Sequence, residues 1–174
     1  MLIDPVVPAP ILVVVGGGHV GQALATQAIW NGFEVLVIED RPEFTDPGLF
    51  PNGVVIERGE AADRLGQIII DSQTYIALVN RGHKQDAQCL EICLRSNAAY
   101  VGMIGSARKV AMIRKDFLEQ GLASESEFDR IFAPIGLDIG SVTPAEIATS
   151  IMAQIISVRR TGGSDRMPMG KACR

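Results

Sequence analysis

Val-Val-Val-Gly-Gly-Gly-His-Val-Gly, residues 13–21, decides the fold: an apolar run stops at glycines and a helical pattern begins. Gly16, Gly18 and Gly21 stand at the spacing G-x-G-x-x-G, which calls for a tight turn, a bare backbone beside a diphosphate and a close helix–strand contact, in that order. The spacing alone is common, so its context carries the weight. Residues 11–15 read as a buried strand, 20–30 as a helix, and 33–38 as a second strand ending at Glu39 and Asp40. Strand, glycine turn, helix, strand and acid in that order predict a helix N-terminus facing a phosphate.

The chain has 174 residues, short enough for one domain and long enough to bury roughly 70% of its unfolded surface. Hydrophobic residues make up 47% and charged residues 21%, a globular balance that forms a core without staples. The longest apolar stretch, 6–15, is interrupted by Pro8 and Pro10 and falls short of the ~20 residues a membrane helix needs. Asp4 stands where a signal peptide would be basic. A cytoplasmic location is expected, with the three cysteines as free thiols.

The net charge of −4 conceals an asymmetry, because residues 81–115 carry +5 and the remainder −9. A local basic zone in an acidic chain fits a small anionic ligand better than a nucleic acid. Within it, Arg95, Arg114 and Lys115 read as a solvated helix face.

The first strand has five consecutive apolar residues with no polar alternation, the pattern of a central parallel strand covered on both faces. Asn31-Gly32 ends the helix that follows, and the right-handed crossover makes a βαβ unit. Prolines 42, 47 and 51 mark a loop, residues 54–57 a short third strand, 61–71 a weak helix and 75–79 a fourth strand. After a turn at 80–84 and a helix reaching Leu94, residues 100–104 form the fifth strand, 107–121 a helix, 125–130 a short helix and 132–134 a final strand or extended segment. The last helix has the clearest start: Thr143, Pro144 and Glu146 fit a capping box with proline in the first turn, and Ile147, Ile151 and Ile155 form its apolar stripe.

Alternation of strand and helix predicts an α/β fold: a Rossmann-like, doubly wound, mostly parallel sheet with helices on both faces, spanning residues 1–160 as a single domain. Residues 161–174 lose all periodicity and are expected to be a flexible tail. With strand order 3-2-1-4-5, ligands bind outside the carboxyl ends of strands one and four. That crevice gathers Gly16, Gly17, Gly18, His19, Val20 and Gly21 with residues 80–84, and Gly105, Ser106, Arg108 and Lys109 beside them.

Ser106 is a candidate N-cap followed by two cations, which oppose the helix dipole by ~0.3–1 kcal/mol each unless an anion binds there. Arg81, Gly82 and His83 repeat that logic at the switch point. A histidine at a helix start is more often a hydrogen-bonded structural group than an acid or base. His19 either donates to a ligand oxygen or caps the turn. Glu39, eighteen residues past Gly21, stands where a carboxylate accepts ribose hydroxyls and repels a 2′-phosphate. Asp40 competes for that role, Arg41 leaves room for the opposite preference, and a surface ion pair between Glu39 and Arg41 is the structural alternative. Cys89 and Cys93, four apart, are expected on one face of their helix, away from Ala87, Leu90 and Leu94. They lack the further ligands a zinc site needs. No metal site and no catalytic residue is identified; the residues describe a ligand site.

Five segments resemble the Rossmann-type C-terminal domain of the XdhC/CoxI family, accessory factors for molybdenum hydroxylases such as xanthine dehydrogenase. They are residues 16–25 (GGGHVGQALA), 37–44 (VIEDRPEF), 81–86 (RGHKQD), 100–109 (YVGMIGSARK) and 133–140 (APIGLDIG), in family order. The resemblance implies a maturation protein that binds molybdenum cofactor, protects it during sulfuration and assists its insertion. It adds the loop with Pro134, Gly136 and Asp138 to the site. Implied partners are a molybdenum hydroxylase, a sulfurtransferase and a separate chain supplying the N-terminal domain that family members carry; a homo-oligomer is compatible with the sequence. Glu39 departs from the aspartate expected in the family. The residues leave two other readings open, an NAD(P)-dependent oxidoreductase and a regulatory NAD-sensing domain of the potassium-transport type.

Overall fold

A computed structural model describes residues 8–80 and 83–162, with backbone alone for 83–85. The first βαβ unit is β1 (Ile11–Val15), α1 (His19–Trp30) and β2 (Glu34–Glu39). Then come β3 (Val54–Arg58), α2 (Ala61–Leu65), β4 (Thr74–Leu78), α3 (His83–Leu94) and β5 (Tyr100–Met103). The chain continues through α4 (Ala107–Glu119), α5 (Glu125–Phe128) and α6 (Pro144–Thr161). All five strands are parallel in the order β3-β2-β1-β4-β5, as expected for a doubly wound sheet. Val15 lies between Ile38 of β2 and Leu78 of β4, so the direction of winding reverses beside the carboxyl end of β1.

Strand residues alternate between two cores. Leu12 and Val14 face α1 and α6, where they meet Leu24, Ala28, Ile151 and Ile155. Val13 and Val15 face the opposite layer, with Leu65, Leu90, Phe117 and Phe128. Each fully buried aliphatic side chain contributes roughly 1.5–3 kcal/mol, which is why the unbroken apolar runs become central strands. On the first face α1 and α6 pack directly, and the Gln27 amide donates to the Thr149 hydroxyl at 3.0 Å. The start of α6 matches its expectation: the Thr143 hydroxyl accepts from the Glu146 amide, and the Glu146 carboxylate accepts from the Thr143 amide. No helix among the described residues is long and apolar enough to cross a membrane.

Two expectations need correction. The helix expected over 61–71 ends at Leu65, because Gly66 terminates it and Ile68 and Ile70 turn onto the second core while Ile69 is exposed. That alternation belongs to extended chain, and a helix cannot produce it. Cys89 and Cys93 do not face away from Leu90 and Leu94; all four are buried in the second core, since adjacent helical positions share the wide stripe a covered helix presents. Residues 132–134 take the second of their two expected forms, an extended segment rather than a full strand. Phe132 makes a single parallel bridge to Gly102, and the chain then leaves along the edge of β5. Of the expected tail, Thr161 and Gly162 complete and cap α6, and the remainder lies outside the described residues.

Candidate functional site at the carboxyl ends of β1 and β2

Each glycine of the opening stretch has its own steric reason. Gly16 adopts φ +112°, and a Cβ there would stand 2.7 Å from the Asn80 backbone nitrogen. A Cβ on Gly21 would overlap the carbonyl oxygen of Gly16, so the first turn of α1 can lie directly on the strand end only without one. Gly18 differs: a Cβ would meet nothing nearer than the Arg41 guanidinium at 3.6 Å. The bare backbone at Gly18 therefore opens outward, whereas those at Gly16 and Gly21 are filled by the protein. Gly18 is also the N-cap of α1, which has no side-chain cap and no acidic residue in its first turn. Such a terminus presents unsatisfied N–H groups and a positive dipole end. His19, exposed at the start of the helix, packs edge-on to Phe44.

Glu39 ends β2 and is 3% exposed. Its Oε2 accepts from the Gly17 amide at 2.7 Å and from Arg41 Nη2 at 2.7 Å. Its Oε1 accepts from the amides of Asp40 and Arg41 at 3.1 and 3.0 Å and from Arg41 Nε at 2.9 Å. Burial by itself would raise this carboxyl, but the Arg41 side chain, then the amides of Arg41 and Gly17, outweigh it and hold the group down to about 2. The ion pair weighed as a surface alternative exists, with its acid buried. The Arg41 guanidinium lies over the Phe44 ring, 4.4 Å from its centroid. The site thus has a rigid wall: glycine turn, carboxylate, guanidinium and aromatic ring in contact order.

Among the described residues, most cations of the basic zone are paired. Lys109 Nζ donates to the Asp86 carboxylate, which is 1% exposed, and this bond ties the starts of α3 and α4 together. Ser106 caps α4 as expected, and Arg108 beside it is exposed. Arg95 pairs with Glu91, Arg114 with Asp129 and Lys115 with Glu119, in keeping with a solvated face. Arg81 and Gly82 lie outside the described residues, and His83 is placed only as the first residue of α3.

The loop after Phe132 is held from α6. Gln154 Oε1 accepts from the buried Tyr100 hydroxyl at 2.6 Å and from the Gly136 amide at 2.9 Å, while its Nε2 donates to the Gly136 carbonyl at 3.2 Å. Ile135 occupies space that a side chain on Gly102 would fill, 2.5 Å from its Cβ position. Pro134 and Gly136 are thereby fixed against β5 and α6, and Asp138 projects into solvent.

The structure brings Gly16, Gly17, Gly18, Glu39, Asp40 and Arg41 into one contact network. Gly105 to Lys109 and the loop of Pro134 to Asp138 occupy separate networks further along the same sheet edge, anchored by Asp86 and Gln154. Two clefts of about 190 and 210 Å³ lie elsewhere, one at the amino end of β5 and one between α3 and α4. Sequence reasoning did not single out Phe44, Tyr100 or Gln154. A signal existed for Gln154, a polar residue three positions after Ile151 on the buried side of α6. Asn80, at the end of β4 beside Gly16, is 8% exposed, and its carboxamide has no hydrogen-bond partner among the described residues. Such a buried amide costs about 1–3 kcal/mol unless something completes it.

A parallel sheet whose winding reverses beside an open glycine turn and an uncapped helix defines a Rossmann-type domain. The model of the XdhC Rossmann domain matches residues 12–155, and the chain belongs to that family. It is 35% identical over 153 residues to the uncharacterized protein YqeB of Escherichia coli, covering 86% of this chain and 27% of that protein. It is 26% identical over 160 residues to a probable xanthine dehydrogenase subunit of Bacillus subtilis, covering 92% of this chain and 46% of the relative. A crystal structure of a xanthine dehydrogenase from Bacillus halodurans superposes with TM-score 0.78 at 26% identity, covering 92% of this chain and 46% of that one. The chain therefore spans less than half the length of each of these relatives.

Proposed function

We infer that this domain belongs to an accessory factor for molybdenum hydroxylases of the xanthine dehydrogenase type and binds a phosphate-bearing cofactor at the β1–β4 switch point. The ligand is molybdenum cofactor or a dinucleotide, and the role is to hold it during sulfuration and insertion. One observation carries the reading: the outward-open backbone of Gly18 at the uncapped start of α1. Asn80, whose backbone lies against Gly16 and whose buried carboxamide has no hydrogen-bond partner among the described residues, supports it independently. The donor set fits a phosphate, because backbone N–H groups and a helix dipole stabilise an anion without a dedicated cation. Bound there, molybdenum cofactor would supply the metal centre and its terminal sulfur. The chain's own groups would hold the phosphate at Gly18 and the α1 amides, with Arg41 as the adjacent side wall. A hydroxylase and a sulfurtransferase are the partners of this reading.

Anaerobic binding of molybdenum cofactor, its dinucleotide form, NAD and NADP to the purified protein tests it. The expected result is saturable binding of a phosphorylated pterin or dinucleotide that is lost in Gly18→Val. Tight NAD binding with turnover of a reductant, and no pterin binding, would replace the accessory role with an oxidoreductase. Binding of none of the four ligands would end the switch-point assignment.

A further inference from the structure

We propose that Arg41 makes this site prefer a ribose-phosphorylated nucleotide, reversing the preference that an acid at the end of β2 ordinarily confers. The proposal rests on the phosphate site at Gly18 and deepens it by naming the ligand class. A carboxylate at this position selects a free ribose by accepting its hydroxyls and repelling a 2′-phosphate. Glu39 can do neither well. Its two oxygens offer about four lone-pair sites, and five N–H donors already occupy them: the amides of Gly17, Asp40 and Arg41, and Nε and Nη2 of Arg41. With a side chain 2% exposed, the acid lies behind the guanidinium that covers it.

Arg41 has the complementary surplus. A guanidinium carries five donors, and only two point at Glu39. Its side chain is 39% exposed, its plane is seated over Phe44, and Nη2 lies 3.6 Å from the position a Gly18 Cβ would take. The remaining N–H groups therefore stand next to the turn that faces the ligand. A fork already fixed by a carboxylate and an aromatic ring loses little rotamer freedom on binding, and its geometry suits two phosphate oxygens. Asp40 and Glu43 share the same turn and oppose a free anion. Arg41 consequently recruits a phosphate from a ligand already anchored at Gly18, and inorganic phosphate alone binds poorly.

Calorimetric titration with adenosine 2′,5′-bisphosphate and AMP, and with NADP and NAD, reads this directly on the unaltered protein. The 2′-phosphorylated member of each pair is expected to bind at least tenfold more tightly. In Arg41→Lys, which keeps the charge but loses the fork, the preference within each pair should fall to threefold or less. Equal affinities within each pair in the unaltered protein, or a preference for AMP and NAD, overturn the role of Arg41 and leave the phosphate site standing. Binding of no adenine nucleotide overturns the ribose-phosphate class. If molybdenum cofactor still binds in that case, the phosphate site survives; if it does not, that site falls too.

Discussion

The Gly17 amide donates to the Glu39 carboxylate at 2.7 Å, so the turn that opens α1 is held by the acid that ends β2. Residues 22 apart thus share one hydrogen bond at a buried point where the first two strands finish. Because the same carboxylate also anchors Arg41, the shape of the glycine turn and the position of the guanidinium are coupled. A change at Glu39 is felt on both sides of the proposed ligand site.

Glu39 should make the protein acid-labile in a defined window. Its carboxyl is lowered from 4.5 to about 2, so its stabilisation is complete above pH ~4.5 and is lost as pH falls toward ~2. The shift corresponds to roughly 3 kcal/mol. Urea unfolding of the unaltered protein and Glu39→Gln should differ by about that amount at pH 7, and the difference should shrink steadily below pH 4.5. A gap independent of pH would show that the ionised form is not what stabilises the turn.

The three motif glycines should separate folding from binding. Gly16→Ala strains a positive φ and presses on Asn80, and Gly21→Ala meets the Gly16 carbonyl. Each is expected to cost about 2 kcal/mol or more. Gly18→Val should lose at most about 1 kcal/mol, the cost of a poorer N-cap, yet abolish ligand binding by filling the open backbone. Thermal denaturation paired with titration distinguishes the two behaviours; an unchanged dissociation constant in Gly18→Val would refute the placement.

Gln154 should control the loop of Pro134 to Gly140. Gln154→Leu leaves the buried Tyr100 hydroxyl and both polar groups of Gly136 without their partner. A destabilisation of roughly 1–3 kcal/mol is expected. Amide exchange at Gly136 should accelerate more than exchange at Val14 in the central strand, and equal acceleration at both positions would mean the side chain supports the whole fold rather than the loop.

Cys89 and Cys93 should be inert toward disulfide reagents in the native state. Burial, followed by the charges of Glu60 and Asp86, pushes the Cys89 thiol up to about 12, and burial raises Cys93 as well. In a Cys173→Ser variant, no thiol should react quickly with Ellman's reagent until denaturant is added. Rapid stoichiometric labelling without denaturant would reopen a sulfur-handling role for this helix.

Much of the architecture was legible because local patterns encode it. The unbroken apolar run before Gly16, the isoleucine stripe of α6 and the Thr143–Glu146 box each depend on residues within a few positions of one another. Alternation and the handedness of crossovers gave a doubly wound parallel sheet, and the order 3-2-1-4-5 is one of those they allow. Where reading failed, two local solutions competed: Ile68 and Ile70 suit a helix or an extended chain, and only the presence of a core beneath them selects the second. The stripe of α3 was placed too narrowly because a helix covering a sheet buries two neighbouring columns, Cys89 with Cys93 and Leu90 with Leu94, alike.

The candidate site divides along the same line. Backbone sterics tie a G-x-G-x-x-G turn to a strand end and a helix start, so Gly16 and Gly21 disclosed their steric roles in one dimension. The state of Glu39 was not disclosed, because its meaning depends on which donors reach it: the same acid reads a ribose when its oxygens are free and braces a turn when Gly17 and Arg41 fill them. The Lys109–Asp86 bond and the Gln154 clamp on Gly136 are likewise meetings of distant residues, 23 and 18 positions apart. Periodicity and turn chemistry act over one or two turns of chain and so write the fold into the sequence. Hydrogen-bond saturation at a buried polar group is a property of the packed neighbourhood, and it comes into being only when the strands and helices have stacked.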